Sequence, residues 1–290
     1  MLGGILLALS AAIIYGFLGI PFEVAGKRRY KIWDVILVKQ FTGCIIGLAC
    51  ALALGSPLAD RRLLGLGTIG AVAYVITLAA YLMASRDKTI AINWTIVNLS
   101  VVVPICLSVF WFGDSFTFSK LIGVVLTIVS IILIGGLFSR TGVERDASSR
   151  WLMYITIAFL LNGVLVILFG FVPEQESPLF TAYFYGISFL MVLPYKVLMD
   201  RKWSLTRGSV GISTVAAATH WSGIMLTIAA LSLIGRFSKQ TGVIVYPITN
   251  GLVIPVGAVL GVLILKQHVT RRTGIGVVVG VIALMCLFLP

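Results

Sequence analysis

The sequence predicts an all-α integral membrane protein of ten transmembrane helices arranged as two inverted five-helix repeats. Three observations carry this. Of 290 residues, 59% are hydrophobic and only 11% charged, and the mean hydropathy is +1.09, which exceeds what a soluble core requires. Charged and turn residues cut the chain into apolar lengths near the ~20 residues that a ~30 Å hydrocarbon layer demands. A polar and aromatic pattern also recurs at an offset of 152 residues.

In chain order the predicted spans are 2–22, 34–55, 63–84, 89–112, 119–138, 151–172, 178–199, 209–234, 240–265 and 273–289. The first runs from Met1 into "LGGILLALSAAIIYG" with no basic leader and is too long for a signal-peptide core, so it reads as a retained helix. Loops such as "RDK" (86–88) and "RFSKQ" (236–240) are too short for a soluble domain, which puts all function inside the bundle. The expected organisation is a first repeat over 1–138, a connecting loop over 139–150 and a second repeat over 151–290.

The net charge of +12 does not indicate nucleic acid, because the basic residues cluster at helix ends. Sixteen of them fall in alternate loops beginning with the first: Lys27, Arg28, Arg29, Lys31, Arg86, Lys88, Arg140, Arg145, Arg150, Lys196, Arg201, Lys202, Arg207, Lys266, Arg271 and Arg272. The other loops hold five, Arg61, Arg62, Lys120, Arg236 and Lys239. The positive-inside rule then places the sixteen in the cytoplasm and both termini outside. Lys39 lies about 7 Å inside the second span and is expected to snorkel to the interface. The four cysteines, Cys44, Cys50, Cys106 and Cys286, lack metal-ligand spacing and read as packing. The pairs Gly43/Gly47, Gly257/Gly261 and Gly276/Gly280 read as close helix contacts.

The repeat shows when "TIAINWTIVNLSVVVPICLSVFWF" (89–112) is set above "TGVIVYPITNGLVIPVGAVLGVLI" (241–264). Trp94 falls on Tyr246 and Asn98 on Asn250, and Pro104 matches Pro255 to within one position. Five spans per half is odd, so the second half enters the membrane inverted. The stretch from "AAYLMASRDK" through "INWTIVNLSVVVP" to "SIILIGG", with the opening "YGFLGIPFEVAGKRRYKIWD", resembles the drug/metabolite transporter superfamily, in particular its ten-helix EamA-like and rhamnose-transporter-like branches. Asp114 stands where many members have Glu, Lys266 or Gln267 replaces that acid in the second half, and Lys39 stands where many carry Arg. The resemblance implies a cavity lined by spans one, three, four, six, eight and nine, with five and ten peripheral. It also implies cytoplasmic termini for many relatives, against the charge count.

Depth arithmetic points to the same six spans independently, because side chains near a span's midpoint lie near the midplane. They are Tyr15, Tyr74, Asn98, Asn162, His220 and Asn250, with Trp94 and Tyr246 one turn from the asparagines. Spans two and seven offer only Cys44 and Phe189 there. Polar groups facing lipid are costly, so these should face one another or water. Aromatic faces beside amides suit a small polar ligand. Rival readings stay open: interhelical hydrogen-bond glue at ~0.6 kcal/mol for each asparagine, packing for the aromatics, and a satisfied internal histidine for His220.

None of the ten acidic residues falls near mid-span, which argues against a carboxylate-based cation exchanger. The two histidines, His220 and His268, lie at very different depths, which argues against an enzyme. No charged ring suggests a channel. The chain is read as a secondary carrier in a bacterial or archaeal plasma membrane that moves a small, polar, uncharged metabolite, sugar-like in preference, by alternating access. It is read as a monomer, without metal or cofactor, with His220 as the candidate for proton coupling. An amino-acid exporter and a lipid-linked carrier flippase remain as alternatives.

Overall fold

Apolar runs of this length can satisfy their backbone in a bilayer only as helices or closed barrels, and every regular element among the described residues is helical. The computed structural model describes residues 1–85, 90–112, 117–135, 143–198, 203–237, 241–264 and 271–288. The loop residues Arg86, Lys88, Asp114, Arg140, Asp200, Arg201, Lys202, Lys239, Lys266, Gln267 and His268 lie outside this set. The helices are α1 (Leu2–Lys27), α2 (Ile32–Ala53), α3 (Arg61–Ala84), α4 (Ile90–Asn98), α5 (Val102–Phe112), α6 (Phe118–Gly135), α7 (Val143–Leu168), α8 (Ser177–Leu198), α9 (Arg207–Gly235), α10 (Thr241–Tyr246), α11 (Val253–Leu263) and α12 (Arg271–Phe288).

Among the described residues, six helices are long and apolar enough to cross a membrane, and Ile96–Leu107, Phe118–Ser130 and Gly274–Cys286 are shorter apolar helices. Their outward faces carry Phe41, Ile45, Ile69, Leu190, Val215 and Val278, each at least half exposed. A water-facing surface of that kind would aggregate, whereas a lipid-facing one is at home. The protein is an integral, multi-pass membrane protein.

Two differences from the sequence reading have local causes. The segment expected as a loop over 139–150 is helical from Val143, since "VERDASSR" contains good helix formers and no proline. The fourth and ninth spans, expected as continuous helices, are each broken. A 3₁₀ turn at Leu99–Val101 separates α4 from α5, and a π turn at Pro247–Gly251 separates α10 from α11. Pro104 cannot donate to the carbonyl of Ser100, and Pro255 cannot donate to that of Gly251, so the regular ladder fails in both places.

Residues far apart in sequence form the packing. α1 lies on α9, α2 on α8, α3 on α7, and α6 on α12, while α4 meets α11. Each of these contacts joins one half of the chain to the other, so the halves are interleaved. α6 and α12 pack along each other, and there the Ser130 hydroxyl donates to the Gly276 carbonyl at 2.7 Å and Ser119 donates to that of Cys286 at 2.7 Å. Close approach needs glycine at Gly16, where a Cβ would strike Val256, and at Gly163, where it would strike Val103.

Candidate functional site

The polar centre forms where α1, α4, α7, α9 and the π turn converge. Six of the eight candidate residues, Tyr15, Trp94, Asn98, Asn162, His220 and Asn250, line one cavity of about 40 Å³, together with Thr227 and apolar residues that include Val97 and Phe169. Tyr74 and Tyr246 do not line it. Tyr74 stacks behind the His220 ring, with centroids 4.9 Å apart. Tyr246 is buried, with its hydroxyl bonded to the backbone of Gly170.

The helix breaks determine what the asparagines do. Asn98 closes α4, and its amide nitrogen donates back to the Trp94 carbonyl at 2.7 Å. Asn250, within the π turn, donates to the Tyr246 carbonyl at 3.2 Å and to the Thr249 hydroxyl at 3.1 Å. These bonds stay within each residue's own segment and do not tie helices together. Asn162 behaves differently, donating from α7 to Ser100 Oγ at 2.8 Å and to the Val97 carbonyl at 3.3 Å. The Trp94 indole N–H is buried at the cavity wall with no partner among the described residues, an arrangement that is costly unless a ligand or water accepts from it.

Directly behind His220 lies a cluster that the sequence reading did not foresee. Lys39 does not snorkel. It is fully buried, donates to the Tyr74 hydroxyl at 2.5 Å and lies 3.1 Å from His220 Nδ1. The Tyr185 hydroxyl meets the same nitrogen at 2.6 Å. The ammonium also sits over the rings of Tyr74 and Tyr185, at 4.6 and 5.2 Å from their centroids. Snorkelling fails because α8 and α9 cover this face of α2, where a Cβ on Gly43 would come within 2.7 Å of the Tyr185 ring. Spans two and seven therefore do contribute polar groups at the centre. Tyr185, one turn before Phe189, was the available signal for span seven, and a lysine inside a 22-residue apolar helix was the signal for span two.

A second buried lysine is held by charge. Lys196 Nζ lies 2.5 Å from Asp34 Oδ1, both side chains fully buried. The backbone N–H and hydroxyl of Ser204 donate to Asp34 Oδ2 at 3.0 and 2.7 Å. Among the described residues, no group of three or more His, Cys, Asp or Glu side chains could hold a metal ion.

Residues 2–136 match the family model of the EamA-like transporter family. The search of curated proteins gives no match. Among solved structures 28 chains match, and one, described as a crystal structure of a protein, is 14% identical with a TM-score of 0.64, covering 98% of each chain. At that identity the likeness shows a shared fold alone. The first half of the chain is thus similar to the EamA-like transporter family, which is consistent with the drug/metabolite transporter superfamily, and the six apolar helices fit a multi-pass membrane protein.

Proposed function

We propose that the chain is a ten-span secondary carrier built from two inverted five-helix repeats, moving a small, polar, uncharged metabolite by alternating access, with sugar-like molecules favoured. One observation carries the reading: polar side chains from both halves surround a small cavity of about 40 Å³. That volume holds a few waters at most, far below the ~300 Å³ at which metabolite sites begin, so a carrier in this state must open to load. Trp94 offers an indole donor there and Tyr15 an aromatic wall, groups that suit a ligand rich in hydroxyls. Asn98, Asn162, His220 and Asn250 complete the ring, and Tyr74 supports it from behind.

The contact pattern supports the repeat. Exchanging the halves turns the α1–α9 contact into α7–α3, the α2–α9 contact into α8–α3 and the α4–α11 contact into α10–α5, while α2–α8 and α6–α12 map onto themselves. The close approaches of Gly16 to Val256 and of Gly163 to Val103 exchange in the same way. The 3₁₀ and π turns beside Asn98 and Asn250 supply equivalent weak points, one per half, at which the spans bend to open the cavity.

The apolar groove of about 600 Å³ between α1 and α9, lined by Ile14, Phe17, Ile20 and Val215 among others, carries no charged residue. Uptake by the purified protein in liposomes, across sugars, amino acids, nucleosides and quaternary amines, tests the function. Saturable uptake of a neutral sugar-like compound is expected, and transport of amino acids alone would replace this reading with the exporter. The basic loops should face the cytoplasm. In Leu58→Cys and Trp203→Cys variants, an impermeant maleimide applied from outside should label only position 58.

A further inference from the structure

We infer that Lys39 is the proton-binding residue of this carrier and that His220 is the group through which its proton reaches the cavity. The inference rests on the carrier reading for its purpose, but its geometry stands apart from any metabolite.

Lys39 is fully buried in the middle third of α2, and among the described residues its partners are all neutral: the Tyr74 hydroxyl, His220 Nδ1 and the faces of two tyrosine rings. The one acid near it along the helix is Asp34, which Lys196 already occupies. A buried cation without a counter-charge is expensive. Neutral acceptors and ring faces offset only part of that cost, so the cluster can exist with the proton present or absent.

Counting donors fixes the route. An ammonium and a phenol both approach His220 Nδ1, so with both donating that nitrogen is an acceptor and the ring proton sits on Nε2. His220 lines the cavity, whereas Lys39 does not. A proton leaves by transfer from Lys39 Nζ to Nδ1, giving an imidazolium and a neutral amine, after which Nε2 releases its proton to water in the cavity. The imidazole then carries its hydrogen on Nδ1 and donates to the amine. Loading runs in reverse, one proton per cycle. The other titratable groups facing the pair are Tyr74 from α3, Tyr185 from α8 and Tyr15 from α1, whose ring lies 6.1 Å from that of His220. The hydroxyls of Tyr74 and Tyr185 can donate or accept, so they accommodate both states.

The test uses the proton alone as probe. Full-length protein in metabolite-free liposomes, adsorbed on a solid support, is subjected to a pH jump and the displaced charge is recorded. The wild type should give a transient displacement. Lys39→Met should reduce it to the protein-free level, and so should Lys39→Arg, because guanidinium keeps its proton. His220→Gln should slow the transient at least tenfold. The double variant Asp34→Asn/Lys196→Met should match the wild type. Absence of displacement in the wild type, or its persistence in a folded Lys39→Met, overturns the proposal. Loss of the folded species in both Lys39 variants would also overturn it, by making Lys39 structural. An empty metabolite panel leaves this result intact, and a negative displacement leaves the panel intact, so the two readings fail separately.

Discussion

Two of the fully buried lysines, Lys39 on α2 and Lys196 on α8, lie on a packed pair of helices, and they are held in opposite ways. Lys196 rests on the carboxylate of Asp34, which Ser204 holds through two further bonds. Lys39 rests on hydroxyls, an imidazole nitrogen and ring faces. In the first site the charge is matched by a fixed anion, so the pair is a structural rivet between α2 and α8. In the second nothing fixes the charge, so the site can change protonation without breaking the fold. The difference teaches that burial of a cation is not by itself a sign of function; what matters is whether its partner can also let it go.

The largest expected effect breaks the rivet. Asp34→Asn or Lys196→Met alone strands a buried charge and should cost about 3–5 kcal/mol, read as a fall in the thermal unfolding midpoint in detergent. The double variant should recover most of it. Lys39→Met strands no charge, since its partners are neutral, and should stay within about 1 kcal/mol of the wild type, the lost hydrogen bonds being offset by removal of a buried cation. Equal losses at Asp34 and Lys39 would erase the distinction.

The sequence allowed this contrast to be read only in part. The helical, membrane-crossing character was legible because composition and bilayer thickness leave few choices, and six helices among the described residues are long and apolar enough to cross; that Tyr15, Asn98, Asn162, His220 and Asn250 line one cavity followed from depth along each segment. Azimuth was not legible. Whether Lys39 turns toward the interface or the core depends on how α2 meets α8 and α9, and its partners Tyr74, Tyr185 and His220 lie 35 to 181 residues away in the chain. Asp34 and Lys196 likewise read as ordinary helix-end charges until the folded chain put them in contact. The helix breaks were half legible: Pro104 and Pro255 marked the places but not the type of turn.

Packing around the cluster sharpens the comparison next. A Cβ at Gly223 would overlap the ring of Tyr15, and one at Gly43 would come within 2.7 Å of the Tyr185 ring. Gly223→Ala and Gly43→Ala should each cost about 1–3 kcal/mol through overpacking. Gly43→Ala should also move Tyr185 off His220 and alter the displaced charge, whereas Gly223→Ala should chiefly impair uptake by shifting a cavity wall. Wild-type unfolding midpoints for both would show that the helices separate freely here.

Asn98 and Asn250 extend the argument from protons to ligand. Their amide nitrogens are spent within their own segments, so replacement by Leu should leave helix association intact. Affinity for the transported compound should weaken by about 1–3 kcal/mol, as a buried ligand group loses its partner. Wild-type affinity in both variants, measured by calorimetry, would move the site toward Tyr15, Asn162 and His220.

The smallest effect separates the aromatic pair that the repeat makes equivalent. Trp94 lines the cavity with a donor that has no partner among the described residues, while Tyr246 points its hydroxyl at the backbone of Gly170. Tyr246→Phe should therefore cost only about 1 kcal/mol of stability and leave ligand affinity unchanged. Trp94→Phe removes the donor from the cavity wall and should weaken affinity with little change in the unfolding midpoint. Similar affinity losses in the two variants would mean that the Tyr246 hydroxyl reaches the ligand in an open state, and that the halves exchange these two side chains as the carrier turns.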